Sequence, residues 1–125
     1  MVKIIDAVRD NRVRVCLDTC HLHAAGYDLS DSVKFKKFLK EFDEMIGLLK
    51  LELVHINDSR DRLGDLRDRH ENIGEGFVGK KVFENFLTNS KTRNLPYILE
   101  TPGFDGMGPD KKNVEILKQL RKQKP

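Results

Sequence analysis

Six side chains of the types that bind divalent cations lie in three short stretches of this sequence. Asp18 and His21 sit in Val-Cys-Leu-Asp-Thr-Cys-His, His55, Asp68 and His70 in Val-His-Ile-Asn-Asp-Ser…Asp-Arg-His, and Glu100 in Tyr-Ile-Leu-Glu-Thr. Three of the four histidines belong to the set. Imidazole and carboxylate together suit zinc, manganese or iron, with no thiolate needed. Asp18 and His21 are close enough in sequence to reach one pocket, and Asp68 and His70 share a side of an extended segment. Taken singly, a loop His or Asp is a solvated or capping residue. Six of them, in stretches that each begin where an apolar run ends, point to a metal site.

The elements that must hold these residues follow from hydrophobic spacing. Residues 1–10 read as a helix with Ile4, Ile5 and Val8 on one face and no capping residue before it. Residues 12–18 read as a strand, with Val13, Val15 and Leu17 on one side and Arg14, Cys16 and Asp18 on the other. Both faces are apolar enough for a buried parallel sheet. Residues 32–49 form the clearest helix, its stripe being Phe35, Phe38, Leu39, Phe42, Met45, Ile46 and Leu49. A second buried strand spans 51–57, and a long polar loop 58–78. A helix over 80–89 is anchored by Val82, Phe83, Phe86 and Leu87. A third strand covers 95–100, and a last helix over 110–122 carries Val114, Leu117 and Leu120.

The order α-β-α-β-α-β-α implies parallel pairing through right-handed crossovers. Asp18, His55 and Glu100 then fall at the carboxyl ends of three consecutive strands, where such folds place their chemistry. The loop of about 20 residues after His55 is too long for a plain connection, and loops of that length are usually functional.

At 125 residues the chain reads as a single domain, residues 1–125. It is short of the roughly 250 residues of a whole α/β barrel. With 34% charged residues and a net charge of +3, the surface is mixed, permitting a nucleic-acid partner without demanding one. No apolar run approaches the ~20 residues of a membrane span. A signal-peptide layout is absent too, and two cysteines make no disulfide framework. The expectation is a soluble intracellular protein.

Three patterns invite other readings. Gly74-Glu75-Gly76-Phe77-Val78-Gly79 matches the dinucleotide-binding G-x-G-x-x-G, but that motif needs a strand just before it. The glycines are better explained by positive φ beside the site. His21-Leu22-His23 resembles the H-x-H of metal-dependent hydrolases, without their further His and Lys. In the 58–69 loop, Arg60, Arg62, Arg67 and Arg69 alternate with Asp58, Asp61, Asp65 and Asp68. On charge alone this loop neutralises itself; in a nucleic-acid enzyme some of its arginines would face phosphates. Cys16 and Cys20 read as packed core and rim residues of one strand region.

Together these segments resemble the endonuclease IV family, the zinc-dependent apurinic/apyrimidinic endonucleases of base-excision repair. Arg14-Val15-Cys16-Leu17-Asp18-Thr19-Cys20-His21, with Ala24-Ala25-Gly26-Tyr27-Asp28 after it, is similar to one family signature. Val54-His55-Ile56-Asn57-Asp58-Ser59, Gly64 and Asp68-Arg69-His70-Glu71-Asn72-Ile73-Gly74-Glu75-Gly76 resemble another, and Leu99-Glu100-Thr101 fits the last strand. Small departures are Arg60 for the usual Lys, Asp65 for a small residue and His23 for an apolar one.

The resemblance implies the C-terminal part, about three βα units, of a TIM-type (β/α)8 barrel, an α/β fold holding three Zn2+ ions in its complete form. It implies that Asp18, His55 and Glu100 ligate one zinc and are the catalytic residues. His21, Asp68 and His70 become the protein ligands of another. Two histidines and a glutamate from earlier barrel strands, for which no segment here is a match, complete the set in the family. The implied reaction is hydrolysis of the phosphodiester 5′ to an abasic site by zinc-activated hydroxide. The implied partner is double-stranded DNA containing such a site, with Arg60 and Arg69 as candidate DNA contacts. A monomer follows when the barrel is complete, in the cytoplasm of a bacterium or the nucleus or mitochondrion of a eukaryote, with no membrane partner. Two alternatives stay open: a metal-dependent sugar isomerase of the related barrel superfamily, and a non-catalytic fragment that binds zinc and DNA.

Overall fold

The computed structural model describes residues 2–8, 10 and 12–122. The alternating pattern folds into a parallel three-stranded sheet. Its strands are β1 (Val15–Asp18), β2 (Leu51–His55) and β5 (Tyr97–Ile98), in the spatial order β1-β2-β5. Pairing sets Leu17 beside Val54, Asp18 beside His55, and His55 beside Ile98, so the strands end in one row. Between them run the helices α2 (Thr19–Ala24), α3 (Ser32–Met45) and α4 (Lys80–Thr88), with α1 (Val2–Val8) before and α5 (Lys111–Arg121) after. The short strands β3 (Asp58–Ser59) and β4 (His70–Glu71) pair antiparallel within the predicted polar loop.

Helix starts follow capping chemistry. Asp31 accepts the N–H of Val33 at the start of α3, and Asp110 that of Asn113 at the start of α5. The core then assembles on one side of the sheet. Val15, Leu17 and Val54 join Phe35, Leu39 and Phe42 of α3 and Val82, Phe83 and Phe86 of α4. Phe35 and Phe86 meet edge to face at 4.9 Å, a geometry that adds to their burial.

Several expected boundaries shift. Residues 1 and 9 of the first predicted helix lie outside the described residues. Of the face expected for that helix, Ile5 packs on the core while Ile4 and Val8 are exposed. The first strand is shorter than 12–18 and is buried on one face only, since Cys16 and Arg14 are exposed. Leu53 and the half-exposed Ile98 lie on that same open face, outside the core. Helix α3 stops before residue 49 because Gly47, at φ 102°, turns the chain into a single 3-10 turn over Leu48–Lys50. Leu49 is therefore exposed rather than part of the apolar stripe, and Met45, the last residue of α3, is exposed as well. The strands at 51–57 and 95–100 contract to 51–55 and 97–98. Helix 80–89 ends one residue early, helix 110–122 loses one at each end, and Val114 lies toward solvent.

Candidate metal centre

Asp18 ends β1 and caps α2. Its Oδ1 accepts the N–H of Cys20 at 2.8 Å and of His21 at 3.2 Å, which is the bond pattern that starts a helix. Its Oδ2 is left facing His70 Nε2 at 3.4 Å and His55 Nδ1 at 3.8 Å. Burial pushes the Asp18 carboxyl above its ordinary pKa, opposed by the N–H of His21 and by His70. His55, at the end of β2, places Nδ1 2.7 Å from Glu100 Oε1. One donor atom from each of Asp18, His55 and Glu100 lies within 4.8 Å of the others. Three adjacent parallel strands thus deliver three ligand-type side chains to one point.

Next to this group stands a second. His70 Nδ1 is 3.0 Å from the main-chain oxygen of Glu100. A carbonyl only accepts, so Nδ1 carries the proton. Nε2 is thereby turned toward Asp18 Oδ2 and, at 3.6 Å, Asp68 Oδ1. A neutral ring in this pose aims its lone pair at two carboxylates, which is favourable only with a cation between them or a second proton on the ring. Metal-ligating histidines characteristically donate the opposite N–H to a carbonyl in this way. Asp18, Cys20, Asp68 and His70 each bring a donor atom within 4.8 Å of the others. His21 stays at the rim: its side chain is 71% exposed and its Nδ1 is 3.8 Å from Asp68. The donor chemistry of both groups fits zinc or another borderline divalent metal.

Asp58 organises the loop carrying Asp68 and His70. This buried carboxylate accepts the N–H groups of Ser59 (2.8 Å), Gly74 (2.9 Å), Gly76 (3.2 Å) and Val78 (3.0 Å). The G-x-G-x-x-G segment therefore wraps a carboxylate of its own chain. Gly74 and Gly79 do take positive φ, 89° and 92°. Gly76 is needed for a different reason: a Cβ there would meet Ser59 O at 2.2 Å. The antiparallel pair Ser59–His70 then sets His70 at the site.

The sequence profile of the xylose isomerase-like TIM barrel family matches residues 1–123. The chain belongs to that family. Among proteins named probable endonuclease 4, that of Thermosipho melanesiensis is 48% identical over 101 residues, covering 80% of this chain and 36% of its own length. That of Persephonella marina is 39% identical over 125 residues, covering 100% of this chain and 43% of its own. The crystal structure of endonuclease IV from Thermus thermophilus superimposes with a TM-score of 0.78 at 31% identity, covering 98% of this chain and 44% of that one. The chain thus spans about two-fifths of the length of these relatives. Its three strand–helix units form part of the barrel, with the candidate ligands at the carboxyl ends of the strands, the face where TIM barrels carry their sites.

Within this TIM-barrel segment the remaining candidates find distinct places. Arg69 donates Nε to Asp61 at 2.9 Å and holds that carboxyl below its ordinary range. The Nε of Arg60 lies 3.9 Å from Glu71. The two imidazoles of His21-Leu22-His23 diverge, because α2 sends His23 inward, where Nε2 meets Asp61 O at 2.9 Å. Cys20 belongs to α2 and not to a strand. It is fully buried, and that burial pushes its thiol up to about 12. Helix α2 was missed in the sequence, although Asp18 before Thr19 is a capping signal. Cys20 beside Asp68, and the buried Asn57, were missed as neighbours of the site.

Proposed function

We propose that this chain carries part of the active site of a zinc-dependent endonuclease of DNA repair, which hydrolyses the phosphodiester 5′ to abasic sites. The observation that carries this reading is the convergence of Asp18, His55 and Glu100 at the ends of β1, β2 and beyond β5. The names of the relatives give the reaction class, an endonuclease, and the sequence resemblance gives DNA as the substrate and the abasic specificity. Asp18, His55 and Glu100 would hold one ion, and His21, Asp68 and His70 a second. Bound zinc supplies Lewis-acid stabilisation of the charge that develops on phosphoryl oxygens. The chain's own residues do the positioning. Asp18 is fixed by its capping bonds and His70 by the Glu100 carbonyl, so both turn one donor atom to the same space. Arg60 and Arg69 stand on the same loop, oriented by Glu71 and Asp61, where cations would face backbone phosphates.

The test is incision of a duplex containing one abasic site by the protein that carries this segment. Zinc-restored protein should cut 5′ to the lesion, leaving a 3′-hydroxyl and a 5′-deoxyribose phosphate. Chelation or His55→Ala should reduce the rate at least about 100-fold, the scale on which single site groups act. Sugar isomerisation without incision, or zinc uptake without incision, sinks the proposal in favour of the corresponding alternative.

A further inference from the structure

Between the residues Asp18 and Glu100 lies a fully buried amide, Asn57, that is not among the candidate ligands. We infer that Asn57 is a positioning residue of the cation centre, fixing both the Asp18 carboxylate and the Glu100 main chain. The inference rests on the metal-centre reading above and assigns a residue to it.

The geometry is specific. Asn57 is 0% exposed and follows β2 by two residues. Its Oδ1 accepts the main-chain N–H of Glu100 at 2.7 Å, and its Nδ2 donates to Asp18 Oδ2 at 3.2 Å. An N–H can only donate, so the orientation of the amide is forced: the oxygen faces Glu100 and the NH2 faces the carboxylate. Thr19 locks the backbone beneath it. Thr19 Oγ1 donates to Asn57 O at 2.6 Å and accepts the N–H of Asn57 at 2.8 Å. One side chain just past β2 thereby joins the last residue of β1 to the segment after β5, across the sheet.

Of the two Asp18 oxygens, Oδ1 is committed to the start of α2, and Oδ2 is the atom turned toward His55 and His70. The Asn57 bond falls on Oδ2. A carboxylate that must present a single oxygen to a cation gains from a donor that fixes its torsion and takes one lone pair. Hydrogen-bonded partners of ligating carboxylates commonly account for about 10–100-fold in metal affinity. Glu100 is served differently: its side chain is half exposed, and Asn57 holds the peptide from which it projects.

The experiment measures Co2+ and Zn2+ affinity by chelator competition on folded protein, with Co2+ visible absorption reporting the ligand field. Wild-type protein should bind Co2+, and Asn57→Leu, which keeps the branched heavy-atom shape and removes the polar atoms, should bind it about 10–100-fold more weakly with an altered spectrum. Asn57→Ala serves the same purpose if the leucine does not pack. Asn85→Ala is the structural control: Asn85 is also buried, and its Nδ2 ties the chain at Leu29 O, away from the site. It should lower the thermal midpoint and leave affinity unchanged. Unchanged affinity in both Asn57 variants overturns the positioning role while the centre stands, as does an equal loss in Asn85→Ala. If wild-type protein takes up no metal, the centre itself falls and this role with it.

Discussion

The two donor groups share Asp18 Oδ2 yet are held by different means. Asp18, His55 and Glu100 sit at or just beyond the ends of paired parallel strands, so backbone register fixes their spacing. Asp68 and His70 sit on a loop whose own ladder is a single two-residue pair. That loop takes its shape from Asp58, a buried carboxylate that gathers four main-chain N–H groups. The strand-end group is thus as stable as the sheet, whereas the loop group is as stable as one hydrogen-bonded knot. Damage to the knot should separate them.

The largest separation is expected from Asp58→Ala. It leaves buried N–H groups without acceptors, and a loss of about 3–5 kcal/mol follows from several such defects together. Urea denaturation reads the loss. Metal titration should show the loop group weakened well before the strand-end group; parallel weakening of both would mean that the knot supports the whole site. Gly76→Ala is the milder version. Its Cβ would lie 2.6 Å from Asp58 Oδ1 as well as against Ser59 O, so the loop must shift, at a cost of about 1–3 kcal/mol. A fully stable Gly76→Ala protein would show that the knot has slack.

This contrast also explains what the sequence made legible. Parallel strands and amphipathic helices leave a periodic trace. The spacing of Val15 and Leu17, of Phe35, Leu39 and Phe42, of Phe83 and Phe86, and of Leu117 and Leu120 therefore reveals β1, α3, α4 and α5. Placing Asp18, His55 and Glu100 at strand ends needed nothing more. The knot leaves no such trace. Asp58 meets Gly74, Gly76 and Val78 across 16 to 20 residues, and Asn57 meets Glu100 across 43. Pairings of that kind depend on where the loop returns, which no local rule supplies. The burial of both faces of β1 was wrongly expected because Cys16 is apolar; periodicity reports residue type, not what covers it.

The Asp61–Arg69 pair tests the rim of the loop. The guanidinium holds the Asp61 carboxyl low, so its contribution is present above the ordinary aspartate pKa of about 3.9 and is lost as pH falls through the lower folded value. Replacing the partner in Arg69→Met returns Asp61 toward its ordinary range. The stability gap between wild type and Arg69→Met should therefore be constant from neutral pH down to about 5 and close below about 4. Denaturant midpoints across that range measure it. A gap independent of pH would make Arg69 a packing residue.

The smallest effect on the fold is expected at His21, and it carries the finest distinction between the groups. Its exposed ring in the last turn of α2 buries little, so His21→Ala should change stability by no more than about 0.5 kcal/mol. Any change in metal binding then reports ligation alone. Cys20 competes for the same role, since its buried sulfur lies within 4.8 Å of donor atoms on Asp18, Asp68 and His70. A thiol that burial pushes up to about 12 must lose its proton to ligate, whereas a neutral imidazole binds through a lone pair it already has. His21→Ala should therefore weaken Co2+ binding at the loop group, and Cys20→Ser should leave it intact. An intense sulfur-to-cobalt band that vanishes in Cys20→Ser would reverse the assignment and make the thiolate the fourth donor.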